Sequence, residues 1–164
     1  MTRLLALDVG EARIGVAVCD TMGIIASPYT TIHTTRDEQH TWSEIQRLVE
    51  ETGAEGLVVG LPISMDGQIH GQGAWVQAFV TRMKKRISLP VTFWDERLST
   101  VEAQRLLSQR EGSDNRRHVR RSQPGHRAKR PQRRQRGQEL DALAATVILQ
   151  DYLDSTRGNT EEPI

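Results

Sequence analysis

The sequence predicts a mixed α/β domain, in which a three-stranded antiparallel meander is extended by parallel strands and flanked by helices. Three observations carry this reading. Two short β-rich runs near the N-terminus, Leu4-Leu5-Ala6-Leu7 and Ile14-Gly15-Val16-Ala17-Val18-Cys19, are separated by a turn at Gly10-Glu11-Ala12-Arg13, the pattern of a hairpin. Further along, short apolar runs alternate with amphipathic helical stripes, as in parallel βα units. No internal repeat is visible in the sequence.

The first run ends at Asp8-Val9-Gly10; a short apolar run closed by glycine reads as a buried strand. A third strand is expected between Ile24 and Ile32, where Pro28 requires an edge position or a bulge, since proline cannot donate to a ladder. Thr41 and Glu44 have capping-box spacing, Trp42, Ile45, Leu48 and Val49 form one apolar stripe, and Gly53 stands where a helix-ending glycine belongs. A buried strand follows over Gly56–Gly60, then Leu61-Pro62 and a turn at Met65-Asp66-Gly67. Trp75, Phe79 and Met83 recur every four residues and predict a helix over about 73–87. Val91–Trp94 is the last strand, and Ser99 with Glu102 opens a helix to about Gln109. The final helix is expected over about 139–153, with 157–164 as a frayed tail, so that residues 1–156 form one domain.

Composition narrows the function classes. The 164 residues are 37% apolar and 26% charged, as in a soluble protein with one core. No apolar run exceeds four residues, against roughly 18–20 for a membrane-spanning helix. The first residues lack a signal-peptide pattern. The lone cysteine, Cys19, excludes an internal disulfide framework and a cysteine-rich zinc site. A cytoplasmic protein without membrane contacts is expected. Cys19 and the tryptophans Trp42, Trp75 and Trp94 lie in apolar patterns and read as core. The five histidines are scattered without metal-ligand spacing.

The net charge of +1 conceals segregation. Between Arg110 and Arg136 there are eleven basic and two acidic residues, so this segment carries +9 and the remainder −8. An acidic body with one basic belt suits a polyanion partner, most commonly nucleic acid, although a solvated loop has the same composition. Residues 112–137 are almost devoid of apolar side chains and are broken by Pro124, Gly125 and Pro131. They predict a mobile basic insert that cannot bury enough surface to offset its ordering entropy.

Three acids stand where acids are costly. Asp8 ends an apolar strand and shares a face with Leu4 and Ala6. Asp95 and Glu96 close the last strand on opposite faces, Asp95 with Val91 and Phe93, Glu96 with Thr92 and Trp94; periodicity does not choose between them. Asp141, in the first turn of the last helix, lies on a face that is otherwise small and apolar, with Ala144, Ala145 and Ile148 at the i+3, i+4 and i+7 positions. Turn hydrogen bonds at Gly10, an ion pair to Arg97 and the helix N-terminus are the structural alternatives. Converging on one point, the carboxylates would repel one another and would suit Mg²⁺ or Mn²⁺, the hard ions of phosphodiester hydrolysis, two of them per site in the two-ion mechanism.

The segments Leu7-Asp8-Val9-Gly10, Arg13-Ile14-Gly15-Val16-Ala17, Gly60-Leu61-Pro62 with Met65-Asp66-Gly67, Asp95-Glu96-Arg97-Leu98-Ser99-Thr100-Val101-Glu102-Ala103, and Asp141 with Ala144-Ala145 and Ile148-Leu149 closely resemble, in this order, those of the YqgF/RuvX family of RuvC-like nucleases. The resemblance spans nearly the whole chain. It implies an RNase H-like fold with a five-stranded mixed sheet, and a catalytic, metal-binding trio of Asp8, Glu96 and Asp141, choosing Glu96 over Asp95. It implies processing of the 5′ end of pre-16S rRNA, or cleavage of Holliday junctions, for which a homodimer is expected because the junction is two-fold symmetric. Arg13 and Arg97 become phosphate or structural partners, and Arg116, Arg117, Arg120, Arg121, Arg130, Arg133, Arg134 and Arg136 the nucleic-acid-binding belt. The belt departs from the family pattern, being about fifteen residues longer than is usual. Two other classes stay open at this stage: a non-catalytic nucleic-acid binder, and a phosphotransferase, whose first phosphate loop the Asp8–Ala17 segment also resembles but which needs a second domain.

Overall fold

The structure is a computed structural model describing residues 2–64, 66–96 and 133–158, with side chains in the last stretch from residue 137 onward. Five strands form one sheet: β1 (Leu4–Val9), β2 (Arg13–Cys19), β3 (Ala26–His33), β4 (Gly56–Leu61) and β5 (Val91–Asp95). Their spatial order is β3-β2-β1-β4-β5. The first three are antiparallel and form the expected meander; β1–β4 and β4–β5 pair in parallel. Pro28 sits on the edge strand, beside a register irregularity at Val16/Ala17. Both features expected of it are present together, since the missing N–H then faces no ladder partner.

Helices α1 (Glu38–Thr52) and α2 (Gly71–Met83) pack on one face of the sheet, and α3 (Arg133–Gly158) packs on the other. The first face holds the large apolar core: Leu5, Leu7, Ile14, Val16, Leu57 and Val59 from the sheet meet Ile45, Leu48, Val76, Phe79 and Met83. Trp42 and Trp75 flank Phe79, Trp75 stacked on it with centroids 6.0 Å apart. The second face is built from small residues. Ala6, Ala17, Cys19 and Val58 meet Ala145, Ile148, Leu149 and Leu153, with Trp94 edge-on to Tyr152 at 5.7 Å. All three tryptophans and Cys19 therefore serve the core.

Several boundaries differ from the sequence expectation, each for a physical reason. Helix α1 is capped by Asp37, whose carboxylate accepts from Gln39 N at 3.0 Å, rather than by Thr41. Asp37 is as good a cap, and starting there allows Thr41 to be buried in the helix. The expected Gly53 terminus is present, with φ of 69°. Helix α2 runs two residues earlier than expected and stops at Met83, the chain turning through Lys84–Arg86 so that Ile87 is buried. Helix α3 begins at Arg133 rather than 139 and runs to Gly158 rather than 153. The apolar stripe marks only its docked middle; the added N-terminal turns are rich in Arg and Gln, good helix formers that need no core, and the added C-terminal turn, Asp154–Gly158, is polar. Residues 133–137 of the expected mobile insert are thus helical, while 112–132 and the helix expected over 99–109 lie outside the described residues. No helix of the described residues is long and apolar enough to cross a membrane.

Leu149, fully buried between α3 and the sheet, tests whether this face is a packed core. Leu149→Ala should cost about 2–5 kcal/mol in urea unfolding. A cost under about 1 kcal/mol would show α3 to be loosely docked.

Candidate functional site

The site lies where the parallel strands β1 and β4 end, on the face covered by α3. Asp8 is opposite Gly15 in the β1–β2 ladder, and like Leu4 and Ala6 it faces the helix. Gly15 has no side chain to keep the helix away. A Cβ there would stand 1.9 Å from the carbonyl oxygen of Asp141, so the backbone of α3 rests directly on β2. On the other side of β1, a Cβ on Gly60 would lie 2.2 Å from Glu96 Oε1 and 2.6 Å from Ile148 Cδ1. Two glycines flanking Asp8 therefore make the space into which Asp141 and Glu96 are brought.

Glu96 follows the end of β5, and its N–H donates to Leu61 O at 3.2 Å, prolonging the β4–β5 pairing by one step. Alternation then settles the choice left open by periodicity. Val91 and Phe93 pack in the core of α1 and α2, and Trp94 packs against α3. Asp95 belongs to the former face and Glu96 to the latter, with Asp8.

Asp8 and Glu96 are hydrogen-bonded to each other through their carboxyls. Burial raises the Asp8 carboxyl to about 6, the charge of Asp141 adds to the rise, and the hydrogen bond with Glu96 opposes it. Glu96 is raised to about 7, by burial first, then by the charge of Asp8, the shared hydrogen bond and Asp95. Without a cation the pair shares a proton, as crowded carboxylates must.

Asp141 is held differently. Arg13 Nε stands 2.9 Å from its Oδ2, an oxygen out of reach of solvent that accepts no hydrogen bond among the described residues; the contact is an ion pair. Burial raises the Asp141 carboxyl, against the opposing charges of Arg13 and His33. The structure thus joins Asp8 to Glu96 and sets Asp141 beside them on the same face, turned toward Arg13. As they stand, no three His, Cys, Asp or Glu side chains among the described residues are grouped to hold a metal ion. The donor chemistry nevertheless fits a divalent cation: half-buried hard oxygens, two raised carboxyls, and one buried carboxylate oxygen lacking a hydrogen bond among the described residues.

Of the expected nucleic-acid contacts, Arg13 is at the site. Arg133, Arg134 and Arg136 lie on the first turns of α3; Arg97, Arg116, Arg117, Arg120, Arg121 and Arg130 lie outside the described residues. Sequence reasoning overlooked Gly15, Gly60 and Gly137 as spacers, and His33 as a neighbour of Asp141. The hairpin register pairs Arg13 with His33, a relation that could have been counted from the turn.

The profile of the RuvX family, described as Holliday junction resolvase, matches residues 2–123. The chain is 37% identical to a protein of Thermoanaerobacter pseudethanolicus over 95% of its own length and 99% of that protein. It is 40% identical to one of Roseiflexus sp. strain RS-1 over 94% and 96%. Both carry the name "Putative pre-16S rRNA nuclease". Among solved structures it resembles T. thermophilus RuvC in complex with a Holliday junction substrate, with a TM-score of 0.51 and 15% identity over 100% of both chains. The fold is that of RuvC, RNase H-like, as the resemblance implied.

The raised carboxyls carry a stability cost with a definite sign. Both bind their protons more tightly in the folded chain, so without a cation stability falls as pH rises through the window from about 4 to about 7. Asp8→Asn and Glu96→Gln should therefore melt higher than the parent at about pH 8 in EDTA, the difference closing near pH 4. Identical melting profiles for parent and variants would mean the pair is not buried and shared.

Proposed function

The chain belongs to the RuvX family of RuvC-like nucleases, and on that premise we propose that it is a divalent-cation-dependent endonuclease acting on structured nucleic acid. The family membership gives the coarse activity, hydrolysis of phosphodiester bonds. The observation that carries the finer reading is the half-buried Asp8–Glu96 pair, two carboxylates pressed together under α3 with Asp141 next to them.

In this reading Asp8 and Glu96 hold the cation from the ends of β1 and β5, on either side of β4, and Asp141, which here faces Arg13, is the third ligand. Mg²⁺ or Mn²⁺, two ions per site, would supply Lewis acidity and charge neutralisation for in-line hydrolysis. The protein's own part is to fix the carboxylates. Sheet pairing fixes Asp8 and Glu96, and the backbone of α3 resting on Gly15 fixes Asp141. Burial withdraws water from the carboxyls, which strengthens their hold on a cation and makes them costly without one.

The substrate we propose is the 5′ region of pre-16S rRNA, supported by the names of relatives that match over nearly their whole length. The second reading, a four-way DNA junction cut by a homodimer, is supported by the description of the family profile. The belt of Arg116, Arg117, Arg120, Arg121, Arg130, Arg133, Arg134 and Arg136, with Arg97, would supply sequence-independent affinity for either. The compartment that fits both substrates is the cytoplasm.

A cleavage panel with Mg²⁺ and Mn²⁺ on rRNA leader, four-way junction, duplex and single strand tests the reading. The parent should cut the leader in preference to the junction and should be silent in EDTA. Asp8→Asn, Glu96→Gln and Asp141→Asn should each lower the rate by about 10²-fold or more while the fold is retained. Undiminished cutting by all three variants would remove these acids from the chemistry.

A further inference from the structure

Arg13 is placed as more than a counter-ion. Its guanidinium lies against α3 at Gly137, where a Cβ would stand 2.3 Å from Nη1 and 3.2 Å from Nη2. Nε stands 2.9 Å from Asp141 Oδ2, in an ion pair. A guanidinium has five N–H donors, and among the described residues none of those of Arg13 has a hydrogen-bond acceptor. Its side chain is 38% exposed, beside the acids.

His33 extends the same ledge. It pairs with Arg13 across β2 and β3, is exposed, and its Nε2 lies 2.6 Å from Gln138 Nε2. Gln138 is itself fixed by its carbonyl, which accepts from Thr31 Oγ1 at 2.7 Å. With Gln138 Nε2 donating to its Nε2, the ring of His33 is oriented with Nδ1 left to donate, so Arg13 and His33 are two donors on the β3 side of Asp141, and both influence its charge.

We propose that Arg13 and His33, backed by Gly137 and Gln138, form a seat for a backbone phosphate flanking the scissile one, so that the nucleic-acid strand leaves the acidic site over the β2–β3 side of the sheet. This rests on the nuclease reading and adds the path of the strand to it. The chemistry is specific to a phosphodiester. A strand delivered to three carboxylates is repelled by them, and a fixed guanidinium one residue away offsets that repulsion with geometry suited to two phosphate oxygens. Gly137 lets the guanidinium approach the helix this closely; a side chain there would push it aside.

The test is equilibrium binding of a labelled rRNA leader and a labelled four-way junction to the full chain in EDTA, across a salt series, with melting temperatures as the folding check. Arg13→Gln should weaken binding about tenfold near 0.1 M salt and lower the slope of log K against log salt by about 1. Arg13→Lys should keep the slope and lose part of the affinity. His33→Ala, at an exposed position that should fold normally, should lose roughly fivefold with the slope unchanged. Gly137→Ala should weaken binding with every charge retained. Parental affinity and slope in Arg13→Gln and His33→Ala would overturn the seat and leave the nuclease reading standing, as would loss of cleavage by Arg13→Gln with binding unmoved. A parent chain that binds neither nucleic acid would overturn both.

Discussion

The contact between the backbone of Asp141 and residue 15 governs the arrangement of this molecule. Helix α3 lies so close to β2 that the position a side chain would take on residue 15 is filled by the helix's own carbonyl. Such an approach requires glycine below and alanine above, and the covering face supplies both, with Ala6 and Ala17 on the sheet and Ala142 and Ala145 on the helix all buried. Larger residues would hold α3 at an ordinary helix–sheet distance and carry Asp141 away from Asp8. Gly60 does the same on the other side of β1, where the carboxylate of Glu96 occupies the space a side chain would need.

From this follows a division between the two faces of the sheet. The face under α1 and α2 carries the large aliphatic and aromatic residues, and its packing supplies most of the stabilising burial. The face under α3 gives up volume for proximity, and the acids sit at its open end, where strand termini leave polar groups to be satisfied. The cost appears in the carboxyls themselves. Asp8 and Glu96 rise because burial penalises both charges and each penalises the other; Asp141 rises even with a guanidinium 2.9 Å away, burial outweighing the ion pair. A cluster this costly is a common mark of a site whose ligand is positive, and the stability lost there is recovered on the opposite face.

Arg13 links the acids to the rest of the surface. It is anchored by the hairpin register, accommodated by Gly137 and directed at Asp141, so one residue senses β2, β3 and α3 together. Its remaining donors give the negatively charged pocket a positive margin. Affinity for a polyanion and a tolerance for clustered carboxylates are then met by separate groups on neighbouring elements rather than by compromise at a single one.

Much of this was legible in the sequence. Alternation along β1 placed Asp8 with Leu4 and Ala6, the alanines around Asp141 announced a close helix, and Pro28 marked an edge strand, because side-chain period and backbone chemistry are local properties. The ends of the helices were less legible: Arg133–Gln138 and Asp154–Gly158 carry no apolar stripe, only the former is rich in good helix formers, and Asp37 outcompeted Thr41 as a cap once burial of Thr41 was counted. The choice between Asp95 and Glu96 came from family resemblance and not from residue pattern, since both close the strand and only the packing of Phe93 and Trp94 on opposite cores tells the faces apart. Tertiary structure alone decided that Glu96 would fill the space over Gly60, that Asp141 would turn to Arg13, and that His33 would stand beside them. These are contacts between residues distant in the chain, fixed by how closely a helix can lie on a sheet, and no local spacing encodes that distance.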